Sequence, residues 1–155
     1  LKGHSHRYRD WKKHGHGRVD LADAIVQSCD VYFYELALNL GIDRMHNFMV
    51  DVGFGRTTGI DLTGESDGLM PSREWKREAR HQPWYPGETL ITGIGQGFFL
   101  TTPLQLASAT ATLSMRGLRL QPAVGLAAQD PMTGEATILS TAQAVAVPLS
   151  DVSNW

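Results

Sequence analysis

The chain has 155 residues, of which 42% are hydrophobic, 8% aromatic and 19% charged, and its net charge is −2 with histidine neutral. This length is enough for one domain with a buried core, and the charge balance argues against nucleic acid as a partner. No apolar stretch reaches the roughly 18 residues of a membrane-spanning helix. The sequence begins at Leu1 without a signal-peptide pattern, so we expect an internal piece of a longer protein.

The first eighteen residues are the least regular part of the sequence. They hold four of the six histidines and several lysines and arginines, with no apolar period. We expect a loop that becomes ordered only through contacts with something outside itself.

Helical patterns begin after this loop. Asp20 is a predicted N-cap, and its helix extends to a turn at Ser28–Asp30. A second helix runs from this turn to Gly41, a residue type typical of the position just after a helix end. Asp43 is predicted to cap a third helix, which ends at Gly53.

The central segment mixes loops with short elements. A strand is predicted at Thr58–Leu62, a helix capped by Ser72 extends to about Arg80, and a loop covers 81–87. The next helix begins with Thr102 as cap and proline in the first helical position. Its apolar stripe is predicted to consist of Leu104, Ala107, Ser108 and Ala111.

The last part of the chain has short strand patterns. We predict strands at Leu118–Leu120, Val124–Ala128 and Ala136–Leu139, with a turn over 131–134. Helices that come first and strands that come later are typical of an α+β fold.

Ser28-Cys29-Asp30 lies between two predicted helices, where rigid elements can fix side chains at a cleft. A serine and a carboxylate two residues apart can transfer protons or hold a substrate amide. The residues alone leave a simpler alternative open, in which Asp30 only caps the following helix.

Asp10, His16 and Cys29 offer an oxygen, a nitrogen and a sulfur ligand, the donor types of a tetrahedral zinc site. Their spacings of six and thirteen residues match no compact zinc finger. An inert buried cysteine beside solvated loop residues explains the same pattern. The histidines at positions 4, 6 and 14 offer other ligand sets.

The glycine-rich run over 93–97 does not support a nucleotide site. The dinucleotide fingerprint would need a glycine at position 98, where the chain has Phe98. These glycines are better explained by a tight backbone path.

Several motifs, in order and spacing, resemble the penicillin-binding protein 2 family, the elongation-specific class B peptidoglycan D,D-transpeptidases of Gram-negative bacteria. The resemblance covers roughly residues 4–121. The motifs are Arg7-Tyr-Arg-Asp-Trp-Lys-Lys, Gln27-Ser-Cys-Asp-Val-Tyr-Phe-Tyr, Met70-Pro-Ser-Arg-Glu-Trp-Lys, Pro83-Trp-Tyr-Pro-Gly-Glu-Thr, and Gly93-Ile-Gly-Gln-Gly followed by Thr102-Pro-Leu-Gln-Leu-Ala.

The resemblance implies a serine β-lactamase-like α+β transpeptidase fold, of which residues 1–155 would be a part, mostly the helical lobe with a few C-terminal strands. The family uses Ser-x-x-Lys, Ser-x-Asn and Lys-Ser/Thr-Gly motifs. Only the second has a counterpart here, Ser28-Cys29-Asp30. Without the nucleophile of the first motif, we expect the chain alone to be inactive.

The resemblance also assigns roles to residues. Ser28 would relay a proton to the leaving amine, and Asp30 stands where most relatives have an asparagine that contacts substrate. Asp10, His16 and Cys29 fall on three ligand positions of a zinc site. The fourth ligand would be an aspartate that precedes residue 1.

By the same resemblance, the intact protein would cross-link peptidoglycan stem peptides through a serine acyl-enzyme during cell elongation and would bind β-lactams. It would be anchored in the inner membrane with this domain in the periplasm, and its partners would be membrane proteins of the elongation machinery. The alternatives are a non-catalytic zinc-binding module and a penicillin-sensing module of the same fold.

Overall fold

A computed structural model of the chain describes residues 7–139 and 143–149. The histidines at positions 4 and 6 lie outside these residues. In chain order, the described elements are α1 (Leu21–Val26), α2 (Asp30–Val52), α3 (Arg73–Arg80), α4 (Pro86–Gly93), α5 (Pro103–Ser114), β1 (Leu118–Leu120), β2 (Ala127–Gln129), β3 (Ala136–Ile138) and β4 (Ala144–Ala146). Within these ranges, no helix combines the length and apolar character needed to cross a bilayer.

The predicted N-caps are confirmed for three helices. The Asp20 carboxylate accepts the Asp23 N–H at 2.8 Å and the Ser72 hydroxyl accepts the Trp75 N–H at 3.0 Å. At α5, the Thr102 hydroxyl accepts a backbone N–H at 3.1 Å, and the side chain at the third helical position reciprocates. These bonds satisfy N–H groups that have no partner inside the helix.

Gly41 divides α2, as the sequence predicts. Its φ of 74° and ψ of 158° are non-helical, although the residues on both sides are helical. The positive φ favours glycine, because a Cβ makes this conformation costly. The predicted second and third helices therefore follow each other directly, without an intervening loop.

The prediction of a strand at Thr58–Leu62 is wrong, because the structure describes no strand between α2 and α3. The Glu65 carboxylate accepts the backbone N–H groups of Thr58 at 2.7 Å and Gly59 at 3.0 Å, so these groups are not available for a ladder. The loop predicted over 81–87 is wrong at its end, because α4 begins at Pro86. The strand β4 was not predicted.

The described strands form two antiparallel pairs. β1 pairs with β4, with Arg119 opposite Val145, and β2 pairs with β3, with Ala128 opposite Thr137. The strand predicted at Leu118–Leu120 is confirmed, and the other two predicted strands are present with shifted or shorter bounds.

The described chain forms two compact units, the first consisting of residues up to Asn47 together with Pro71–Phe99, and the second of Phe48–Met70 together with residues from Leu100 onward. The first unit has apolar side chains at its centre, among them Ala24, Ala37, Ile42 and Leu90. The second has Val52, Phe54, Met70, Ala109 and Val147.

The buried face of α5 differs from the predicted stripe. It consists of Gln105, Ala109 and Thr112. The Gln105 amide donates to two backbone carbonyls, of Arg56 and Asp67, both at 2.7 Å. A buried amide with these partners is fully compatible with a core, because its hydrogen bonds replace those to water.

Candidate metal centre and the adjoining Ser-Cys-Asp turn

The structure brings together the three residues that the sequence singles out as metal ligands. The ligand atoms of Asp10, His16 and Cys29 all lie within 4.8 Å of one another. The loop before α1 contributes Asp10 and His16, and the turn between α1 and α2 contributes Cys29. These three residues line a cleft of about 350 Å³, which gives an ion a path from solvent.

The chemistry of this cluster fits a metal ion. The His16 and Asp10 side chains are 1% and 4% exposed. His16 Nδ1 lies 3.3 Å from Asp10 Oδ2 but forms no hydrogen bond with it or any other described atom. A buried ring nitrogen without a partner is unfavourable, and coordination would use it. With a carboxylate and a thiol beside it, the donor set suits zinc.

The Asp10 carboxylate is held in its charged form. Burial raises its pKa, but hydrogen bonds from the Lys12 N–H, the Cys29 thiol and the Val31 N–H, together with the nearby His16, lower it by more, so that the pKa lies below its ordinary value. The backbone bonds measure 3.0 Å from Lys12 and 3.4 Å from Val31. The carboxylate is therefore ready to act as a ligand without losing a proton.

Trp11 connects the loop to the turn. Its indole N–H donates to the carbonyl oxygens of Ser28 at 2.9 Å and Gln27 at 3.2 Å. Its backbone N–H donates to Asp30 Oδ2 at 3.2 Å. These bonds supply the outside contacts that the sequence predicts for this loop.

Ser28 has an unusual backbone conformation, with a φ of 52°. A left-handed conformation at a residue other than glycine costs on the order of 1 kcal/mol and is concentrated at functional sites. The turn is held by the Cys29 N–H, which donates to the Ala24 carbonyl at 2.9 Å, and by the Trp11 indole. The Ser28 side chain is exposed.

Asp30 is the first residue of α2 and is half-buried. Its carboxylate accepts the Trp11 N–H, and an anion in the first helical turn also interacts favourably with the helix dipole. Cys29 lines the cleft described above, whereas Ser28 and Asp30 do not.

Sequence reasoning missed two features of this unit. One is Trp11, although it directly follows Asp10. The other is the nearly buried pair of Lys76 and Glu88, in which the ammonium contacts a carboxylate oxygen and lies 4.4 Å from the centre of the Tyr85 ring. One sequence signal could have drawn attention to Glu88, because it occupies the third position of a helix that starts with proline.

Comparison with known proteins assigns the chain to a family. Residues 1–152 match the penicillin binding protein transpeptidase domain. The chain belongs to the penicillin-binding protein transpeptidase family. The α+β transpeptidase-like fold expected from the sequence is thereby confirmed.

Individual members of this family are similar over most of the chain. The peptidoglycan D,D-transpeptidase MrdA of Acinetobacter baumannii is 52% identical over 124 residues, which are 80% of this chain and 18% of that protein. The MrdA of Escherichia coli K12 is 46% identical over 76% of this chain and 19% of that protein. The chain thus spans about a fifth of the length of these curated relatives.

Solved structures agree with this assignment. Pseudomonas aeruginosa PBP2, solved in complex with WCK 5153, has a TM-score of 0.82 and 46% identity, and the match covers 100% of this chain and 34% of that one. Helicobacter pylori PBP2, solved in complex with MreC, has a TM-score of 0.75 and 43% identity, over 79% of this chain and 23% of that one.

Proposed function

We propose that the intact protein containing this chain is a peptidoglycan D,D-transpeptidase that cross-links stem peptides through a serine acyl-enzyme during cell elongation and binds β-lactams. The observation that carries the proposal is the match to MrdA of Acinetobacter baumannii, which is 52% identical over 124 residues. The attacking serine and the third motif are not in this chain.

The contribution of this chain to catalysis is the second motif. Ser28 would pass a proton between the first-motif lysine and the leaving amine, a step worth about 10²–10⁴ in rate. Ser28 is exposed and therefore accessible to a substrate, and its backbone has the left-handed conformation described above. The bonds from Trp11 hold that conformation.

The test is acylation of the intact protein by labelled penicillin. We expect Ser28→Ala to slow acylation by about 10²-fold or more while the fold is retained, because the proton relay is lost. Ser114→Ala, a change at an exposed serine on α5, serves as the control. Equal acylation rates in the two variants would remove Ser28 from the mechanism.

We further propose that Asp10, His16 and Cys29 hold one zinc ion, with a fourth ligand from outside this chain. The buried, unpartnered His16 Nδ1 supports this assignment. When bound, the ion supplies structural cross-linking between the loop and the turn rather than Lewis-acid chemistry. Asp10 also accepts the Val31 N–H, so it joins the two segments directly.

Elemental analysis of the intact protein tests the zinc site. We expect about one zinc per chain, loss of the metal in Cys29→Ser, and retention in His14→Ala, because His14 is exposed and outside the cluster. A wild type without metal would refute the assignment. Retention in Cys29→Ser would favour the alternative of a histidine-based metal module.

The proposed setting is the periplasmic face of the inner membrane, with membrane proteins of the elongation machinery as partners. Support comes from the Helicobacter pylori relative, which was solved in a complex with MreC. Fractionation of cells that produce the intact protein, followed by cross-linking to the native MreC, tests both points. Recovery in the cytosol, or the absence of a cross-link, would contradict them.

A further inference from the structure

A second cleft lies within the second compact unit, apart from the residues of the proposed catalytic motif and metal site. Its volume is about 280 Å³, and its walls come from the segment after α2, from α5 and from β1. Two arginines, Arg56 and Arg119, line it together with Thr57 and Ser108. The Arg119 side chain lies over Gly53, where even a Cβ would be 3.5 Å from its Cδ.

The first arginine is only partly satisfied. Arg56 Nε is buried and forms no hydrogen bond with a described atom, although Nη2 of the same guanidinium donates to the Asp51 carbonyl at 3.1 Å. A buried N–H without an acceptor is unfavourable, and more so on a charged group. The guanidinium of Arg56 therefore keeps hydrogen-bonding capacity that no described residue uses.

The second arginine is close enough to repel the first. Burial lowers the pKa of Arg119, and the charge of Arg56 lowers it further, whereas Asp51 raises it. Asp51 is thus a partial counter-charge, but among the described residues no carboxylate forms an ion pair within 4.0 Å of either arginine. The Glu65 carboxylate nearby already accepts three hydrogen bonds from Thr58 and Gly59.

We propose that this cleft binds an oxyanion, either a phosphate group or a carboxylate, between Arg56 and Arg119. A guanidinium group can donate two parallel hydrogen bonds to two oxygen atoms of a phosphate or a carboxylate. Its hydrogen bonds to charged acceptors are its strongest. Such an anion would lie between the two guanidinium groups and offset the repulsion between them. Thr57 and Ser108, two hydroxyl-bearing residues, line the same cleft.

Isothermal titration of the intact protein with inorganic phosphate and with acetate, at constant ionic strength in chloride, tests the site. We expect saturable binding of one oxyanion. If phosphate binds more tightly than acetate, the site takes a ligand that carries a phosphate group. If acetate binds more tightly, the site takes a ligand that carries a carboxylate. Saturation by neither anion would overturn the proposal.

Variants show whether the binding occurs in this cleft. Arg56→Gln and Arg119→Gln should each weaken binding at least tenfold, because each removes one charged donor. The control Arg44→Gln changes an exposed arginine on α2 and should leave binding unchanged. Equal losses in all three variants would indicate a non-specific charge effect and would refute the site.

A substitution that adds charge keeps the test informative even where an arginine variant fails to fold. Ser108→Asp places a carboxylate at the wall of the cleft and should abolish anion binding and raise the melting temperature above that of the matched Ser108→Asn. Unchanged anion binding in Ser108→Asp would refute the proposal. Because these residues are not part of the Ser28 turn, failure here leaves the transpeptidase proposal intact.

Discussion

The backbone N–H of Trp11 donates to Asp30 Oδ2 at 3.2 Å, which joins the loop of the candidate metal centre to the first residue of α2. An ionised aspartate only accepts hydrogen bonds, so it suits this backbone donor. An asparagine at this position would carry one oxygen that can accept the same bond. The contact therefore requires an acceptor rather than a charge.

Asp30→Ala should loosen the loop, whereas Asp30→Asn should retain it. We expect the alanine variant to lose about 1 kcal/mol of stability, the net worth of one intramolecular hydrogen bond, and the asparagine variant to lose less. Urea unfolding of the intact protein measures the stability, and limited proteolysis after Lys12 and Lys13 measures the loop. Equal proteolysis of the two variants would contradict this role.

Substitutions of Ser28 should separate backbone strain from side-chain chemistry. Ser28→Ala keeps the unfavourable φ of 52°, whereas Ser28→Gly relieves it. We expect the glycine variant to be more stable than the alanine variant by about 1 kcal/mol in thermal unfolding. Both variants should be equally slow in acylation. A more stable alanine variant would mean that the left-handed conformation is absent in solution.

Glu65 should contribute to stability in a pH-dependent way. Burial raises its pKa, but the hydrogen bonds from Thr58, Gly59 and Ile60 lower it by more, so the folded-state pKa lies below the ordinary value of 4.5. Its contribution is then fully present above pH 4.5 and is lost as the pH falls through the folded-state pKa.

Urea unfolding of the intact protein between pH 3 and 6 tests this dependence. Glu65→Gln should be less stable than wild type at pH 6, and the difference should shrink as the pH falls. Glu78→Gln, a change at an exposed carboxylate on α3, is the control. A difference that stays constant across this range would be inconsistent with the hydrogen-bonded carboxylate.

Removing the charge of Glu88 alone from its pair with Lys76 should destabilise the fold strongly, whereas removing both charges should destabilise it much less. Lys76 is 1% exposed, so Glu88→Gln leaves a buried ammonium without its counter-charge and should cost about 3 kcal/mol. The amide still accepts the Tyr85 N–H, which preserves the start of α4. Lys76→Met in the same variant should recover most of the loss, and Glu74→Gln is the exposed control. Failure of the methionine to rescue would show that the ion pair is not the cause.

Local signals explain why parts of the fold could be predicted. The caps at Asp20, Ser72 and Thr102 each depend on one side chain and a backbone N–H three residues away. Gly41 likewise interrupts α2 through its own backbone conformation. Such contacts are visible in a short stretch of sequence.

Contacts between distant segments explain the failures. The Glu65 side chain takes the N–H groups that a strand at Thr58–Leu62 would need. Strand β4 exists because it pairs with β1, more than twenty residues earlier, and its Ala-Val-Ala sequence gives little signal of its own. The spacing of Asp10, His16 and Cys29 did not predict their meeting, which the family resemblance supplied.

The ring of Trp11 lies edge-to-face with the imidazole of His16, with 5.5 Å between the ring centres, and its side chain is largely open to solvent. Indole emission is sensitive to coloured or paramagnetic ions at this range. Cobalt or copper held by His16 would quench the fluorescence of Trp11, so the chain contains its own optical reporter of site occupancy.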